Sequence, residues 1–133
     1  MSAIIGIGVD IVDVSRVERL IARYDVRFLS RVFTENEARY AMGSVNFAER
    51  LAGRFAVKEA VLKALGTGKS GGILWQDVET LPGPAGKPVV RLHGQAVRRA
   101  KWKGGGTVHV SISHDGGKAI AFVILERAGG AKE

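Results

Sequence analysis

The stretch Phe55-Ala56-Val57-Lys58-Glu59-Ala60-Val61-Leu62-Lys63-Ala64-Leu65-Gly66 constrains this chain more than any other. It reads as the end of a long helix that opens behind an Asn46 cap and stops at Gly66, where a residue without a β-carbon closes the last turn. At 3.6 residues per turn, Leu51, Phe55, Leu62 and Leu65 share one face, and Lys58 projects into the middle of that stripe. Glu59 and Lys63, spaced i, i+4, share the flank beside it. A helix resting on a core normally carries its charges opposite the apolar stripe. Charges on the border predict a helix that lines a polar cavity, with an anion or a metal ion as its tenant.

The segments around this helix predict an α+β domain in which antiparallel β-hairpins pack against the long central helix. Ile4 to Ile11 is a glycine-punctuated strand carrying Asp10 near its end. Ser15-Arg16-Val17-Glu18 has the form of a capping box, followed by Val17, Leu20, Ile21 and Tyr24 at helical spacing. Thr34-Glu35-Asn36-Glu37 forms a second box that opens a short helix to about Met42. After a glycine-rich loop over 66–72, strands are expected at Leu74–Leu81 and Pro88–Leu92 around a Pro82–Gly86 turn. A basic helix follows over 94–103. Val108 to Ser113 then alternates apolar and polar residues, His114-Asp115-Gly116-Gly117 reads as a hairpin turn, and Lys118 to Leu125 is the apolar return strand. One domain over 1–126 is expected, with a frayed tail over 127–133.

Across 133 residues the formal charge is +7, so the partners are expected to be anionic: nucleic acid, a phosphorylated small molecule or an acidic protein. The absence of cysteine excludes disulfides, thiolate metal sites and cysteine catalysis. Met1 to Val9 is apolar but short, lacks a basic region and runs into Asp10, so no signal peptide or membrane span is expected and the chain reads as a soluble cytoplasmic protein.

Gly68-Lys69-Ser70 is no P-loop, because position 63 is Lys rather than Gly and a helix precedes it, although the amides of Gly66 to Gly72 can still help hold a phosphate. Gly6-Ile7-Gly8 lacks the third glycine of a dinucleotide fingerprint; its use is close backbone approach. Asp10 is then either a turn residue or a ligand at a strand end. A hard cation such as Mg²⁺ takes one or two carboxylates together with substrate phosphates. Asp10, Glu59 and a diphosphate fit that rule, with Lys58, Lys63 and Arg54 balancing the charge, an arrangement suited to phosphoryl transfer. His114 is a turn residue or a site residue; His93 and His109 read as structural, and Ser111 and Ser113 as ordinary strand positions. Arg16, Arg19 and Arg23 share a helix face with few interleaved acids, which is either a solvated face or a docking strip for an acidic partner.

Together these segments resemble the holo-acyl-carrier-protein synthase family, the small 4′-phosphopantetheinyl transferases. The resemblance runs from about Ile4 to Leu125 through Gly6-Ile7-Gly8-Val9-Asp10-Ile11 with Arg16, Gly53-Arg54-Phe55-Ala56-Val57-Lys58-Glu59-Ala60 with Lys63-Ala64, Trp75-Gln76-Asp77-Val78-Glu79, Gly86-Lys87-Pro88 and His109-Val110-Ser111-Ile112-Ser113-His114. It implies Mg²⁺-dependent transfer of 4′-phosphopantetheine from coenzyme A to a serine of apo acyl carrier protein, releasing adenosine 3′,5′-bisphosphate, in support of fatty acid biosynthesis. By the same resemblance Asp10 and Glu59 match metal ligands, and Lys63 matches the lysine at the transferring phosphate. Arg54 and His114 match positions around the coenzyme A nucleotide, and Arg16 matches a carrier-docking residue. A homotrimer with sites at subunit interfaces is also implied. Arg19 and Arg23 join the docking strip by face alone. Residues 25 to 45 match only loosely, and Lys101 to Gly106 lies outside the pattern. The general base stays open among Glu59, Lys63 and a metal-bound water. A nucleic-acid-binding module built on the arginine face and Arg98-Arg99-Ala100-Lys101 is the competing class. The few aromatics and the carboxylates beside the lysines argue against it.

Overall fold

Strand β1 (Ile4–Asp13) runs directly into helix α1 (Val14–Tyr24) in the computed structural model, which describes residues 2–129. The chain continues through α2 (Val26–Val32), α3 (Glu35–Met42) and the long α4 (Phe47–Leu65). A 3₁₀ turn (Trp75–Asp77) leads into the hairpin of β2 (Val78–Pro82) and β3 (Pro88–Leu92), and α5 (Gly94–Trp102) leads into that of β4 (Gly105–Asp115) and β5 (Lys118–Arg127). The outer strands of the three-stranded sheet, in the order β1-β5-β4, both pair antiparallel with β5, while β2 and β3 form a separate ribbon. This is the α+β arrangement of hairpins around a central helix that the sequence predicts.

Helix α4 lies across the inner face of the three-stranded sheet, and the contact with β1 is backbone to backbone. A β-carbon at Gly8 would fall 1.8 Å from the Ala60 carbonyl oxygen, and one at Gly6 would fall 2.1 Å from that of Ala64. The alternation of β1 then puts Asp10 and Val12 on the same inward face as the glycines. On the facing strand Ala119, Ala121, Val123 and Leu125 are buried and complete the floor. The outward face carries Ile7, Val9, Ile11 and Phe122, all 43–58% exposed, an apolar surface that no described residue covers.

The opposite side of α4 is buried as well. Lys58, expected to help bind the substrate anion, is instead completely buried: its Nζ donates to Glu37 Oε1 (2.7 Å), Trp75 O (3.1 Å) and Val78 O (2.5 Å). Burial pulls the ammonium's pKa down, and the Glu37 carboxylate opposes that pull. All three ammonium donors are used on one carboxylate and two carbonyls, so Lys58 ties α4 to α3 and β2 and cannot reach a ligand.

Several local expectations are corrected. The Ser15 box does not form; β1 pairs up to Asp13, the helix opens at Val14, and the Ser15 hydroxyl accepts from Arg19 (3.4 Å). The Thr34 box does form, with Thr34 N to Glu37 Oε1 at 3.0 Å and Glu37 N to Thr34 Oγ1 at 3.2 Å. Asn46 sits at the α4 N-cap without a side-chain bond, whereas Gly66 closes the helix at φ 77°. Residues 75–77 are a 3₁₀ turn rather than strand, because the Asp77 carboxylate accepts the Leu74 amide (3.0 Å). The hairpin turn narrows to Gly116 and Gly117, at φ 56° and 77°, leaving His114 within β4. Arg127, expected to be frayed, pairs in β5 and its amide donates to Ala3 O (2.7 Å); positions 130–133 lie outside the described residues.

Gly8→Ala is expected to cost about 3 kcal/mol or more in urea unfolding, since the added carbon meets rigid backbone; a loss below about 1 kcal/mol contradicts the close approach. Lys58→Met strands a buried carboxylate and should cost about 3–5 kcal/mol by the same measurement, and a neutral outcome contradicts a structural role.

Candidate active site

From Leu51 to Leu65 every residue of α4 is buried except Glu59 and Lys63. Asp10, delivered by the glycine contact, meets them. Lys63 Nζ donates to Asp10 Oδ1 (3.0 Å) and to the Val9 carbonyl (2.8 Å). Glu59 faces the same carboxylate. Burial, then carboxyl–carboxyl contact with Asp10 and its negative charge, push the Glu59 pKa up to about 7, with Arg16 and Lys63 pulling the other way. The sequence-predicted trio is therefore brought together, although its members lie far apart in the chain.

The donor set fits a hard divalent cation. Asp10 Oδ2 is buried and has no hydrogen-bond partner among the described residues, and burial together with the Asp10 carboxyl holds the neighbouring Glu59 pKa up. Two carboxylates, with no third such ligand among the described residues, suit an ion whose remaining positions go to phosphates and water.

Arg54 belongs to a second group. Its guanidinium lies 4.0 Å from the Tyr40 ring centroid, and Arg50 lies 4.3 Å from the same ring. Arg50 also donates to Tyr40 O (2.9 Å). The Arg54 side chain is almost fully buried, its Nε has no partner among the described residues, and desolvation pulls its pKa down. His114 Nε2 meets the Glu49 carbonyl at 3.0 Å. These residues with Asn46 line a cleft of about 240 Å³. Its cations, guanidinium faces and half-open shape suit a phosphorylated aromatic ligand. Arg50 could have been read from the sequence as the residue one turn before Arg54; Tyr40 lies in the loosely matching region and gave no such signal.

On α1, Arg16, Arg19 and Arg23 are all exposed. Arg16 lies over the Phe55 ring at 5.3 Å, so the basic face borders the carboxylates. Arg27 and Arg31 of α2, not expected from the sequence, extend it around a cavity of about 440 Å³ that Leu20, Tyr24 and Phe28 help line. Lys58 takes no part in either group.

The family model described as the 4′-phosphopantetheinyl transferase superfamily matches residues 6–122. A holo-[acyl-carrier-protein] synthase of Koribacter versatilis is 46% identical over 123 residues, covering 92% of this chain and 98% of that protein. Among solved structures, the holo-[acyl-carrier-protein] synthase of Neisseria meningitidis superposes with a TM-score of 0.83 at 33% identity, covering 93% of this chain and 99% of the other. The Helicobacter pylori holo-[acyl-carrier-protein] synthase, solved in complex with coenzyme A, gives 0.79 at 31% identity, covering 90% and 99%.

The folded-state value of about 7 for Glu59 exceeds its ordinary 4.5, so ionising it opposes folding: the cost develops as pH rises from near 4.5 and is complete above about 7. Glu59→Gln in chelator should therefore raise Tm by a few degrees at about pH 8, and the gain should vanish at about pH 4. An equal shift at both pH values contradicts the carboxyl pairing.

Proposed function

The chain belongs to the 4′-phosphopantetheinyl transferase superfamily, and we propose that it transfers 4′-phosphopantetheine from coenzyme A to a serine of apo acyl carrier protein. It releases adenosine 3′,5′-bisphosphate and acts as a holo-[acyl-carrier-protein] synthase for fatty acid biosynthesis in the cytoplasm. The observation that carries this reading is the pair of unburied positions on an otherwise buried helix, Glu59 and Lys63, met there by Asp10.

Asp10 and Glu59 would hold a Mg²⁺, whose charge offsets that of the donor's diphosphate. Lys63 supplies a further positive charge at the β-phosphate. The serine oxygen bonds to the β-phosphorus there, and the phosphoanhydride bond to adenosine 3′,5′-bisphosphate breaks. The serine proton leaves to a basic group of the site. Arg54 and His114, joined by Arg50 and Tyr40, receive the nucleotide end. Arg16, Arg19 and Arg23 dock the acidic carrier and bring its serine to the carboxylates.

A homotrimer with shared sites is part of the same reading. Along α4, Arg54 and Lys63 stand about 13 Å apart at 1.5 Å per residue. Asp10 lies on edge strand β1 and His114 on the opposite edge strand β4. The uncovered apolar face of β1 and β5 supports burial against further copies of the chain.

Incubation of the protein with apo acyl carrier protein, coenzyme A and Mg²⁺ should add one phosphopantetheine to the carrier by mass spectrometry. Asp10→Ala and Glu59→Ala should each lower the rate at least about a hundredfold with the fold retained by circular dichroism. No mass gain, or near-parental rates in both variants, overturns the reading.

A further inference from the structure

We propose that the Lys63 ammonium is the resting counter-ion of the Asp10–Glu59 pair, displaced from Asp10 when a divalent cation binds and thereby freed to turn to the donor phosphate. The inference rests on the metal reading above and concerns how Lys63 divides its time between two partners.

Lys63 is half exposed, yet its ammonium is turned toward the sheet. It reaches from the last turn of α4 back to β1, where it donates to Asp10 Oδ1 at 3.0 Å and to the Val9 carbonyl at 2.8 Å. Among the described residues it makes the only salt bridge to either carboxylate of the pair. Arg16 acts on Glu59 through its charge but makes no salt bridge to it. Of the Asp10 oxygens, Oδ1 accepts from the lysine, while Oδ2 is buried on the side of Glu59 with no hydrogen-bond partner among the described residues. A divalent ion on Asp10 brings a second positive charge beside the ammonium, so the two compete for one carboxylate. The lysine is the one able to leave, since its side chain is 55% exposed against 14% for Asp10.

The same ammonium cannot neutralise Asp10 and contact a phosphate in full measure. A donor diphosphate offers it a new anionic partner at the moment the metal takes its old one. Metal and donor should accordingly bind with positive coupling, and coupling in binding is reciprocal. The lysine then serves the fold's charge balance before binding and the reaction after it.

The test is Mn²⁺ binding to the full chain, measured by electron paramagnetic resonance with and without coenzyme A and with no carrier protein present. For the parent, coenzyme A should tighten Mn²⁺ binding. Lys63→Met should bind Mn²⁺ on the order of tenfold tighter than the parent without coenzyme A, and the tightening by coenzyme A should shrink. Lys63→Arg, which keeps a cation in place, should stay near the parent. Arg16→Gln removes a nearby charge without a contact and should shift binding far less than Lys63→Met. Equal or weaker Mn²⁺ binding by Lys63→Met, or an equal gain from Arg16→Gln, overturns the displacement while leaving the metal site standing. Binding that survives unchanged in Asp10→Asn removes the metal reading itself, and this inference with it.

Discussion

The approach of β1 to α4 controls where the chemistry can occur. Strand and helix touch through their backbones at residues 6, 8, 60 and 64, a distance that any side chain on the strand would forbid. Because the side chains of a strand alternate, the next inward position after Gly8 is Asp10, and its carboxyl arrives at the helix surface without choice of direction. On the helix, Glu59 and Lys63 are separated by one turn and so present a single side to that carboxyl. A two-residue glycine pattern thus converts a strand into a carrier for one acid. The same closeness explains why the sheet floor beneath α4 is built of Ala119 and Ala121 beside the larger Val123 and Leu125.

The charges of α4 divide by angle. Lys58 and Glu59 are adjacent in sequence but about 100° apart around the helix, so one points into the fold and the other out. Burying Lys58 requires a partner that is itself satisfied. Glu37 meets that need: Oε1 accepts from the Thr34 amide and Lys58, and Oε2 accepts from the Thr80 amide at 2.8 Å. The capping box of α3 therefore does two tasks, ending the helix's unpaired amides and fixing the carboxylate that makes an interior lysine tolerable. What lies outside this closed network is the Asp10–Glu59 pair, whose charge is left for a lysine or a ligand to balance.

Much of this was legible in the residue order. The Gly66 cap, the Thr34 box, the alternation of β4 and the apolar β5 are local signals, and each appears as read. Asp10, Glu59 and Lys63 were legible as chemistry, though their meeting depends on a sheet register that periodicity does not carry. Lys58 was misassigned because spacing alone cannot tell an interior ion pair from a ligand contact: its partner lies 21 residues earlier and its two carbonyl acceptors 17 and 20 residues later. Helix α2 was missed because seven residues give two buried positions, Phe28 and Val32, too few to establish a period. The Ser15 box failed for a tertiary reason, since Val14 N already donates to Gly117 O across the β1–β5 end.

The two functional groups of α4 face different edges of one narrow sheet, and that has a consequence for assembly. Asp10 stands on β1 and His114 on β4, with all of β5 between them, about 10 Å at ordinary strand spacing. The helix adds its own separation between Arg54 and Lys63. Under the proposed function the donor's diphosphate would go to one group and its nucleotide to the other, across that separation. A contact between the β1 edge of one copy and the β4 edge of the next would bring two such groups together. Such a contact would join unlike surfaces, which build a ring where the rotation between copies closes and a filament where it does not. The exposed row of Ile7, Val9, Ile11 and Phe122 is apolar surface beside that β1 edge, and the proposed assembly of several copies would bury it.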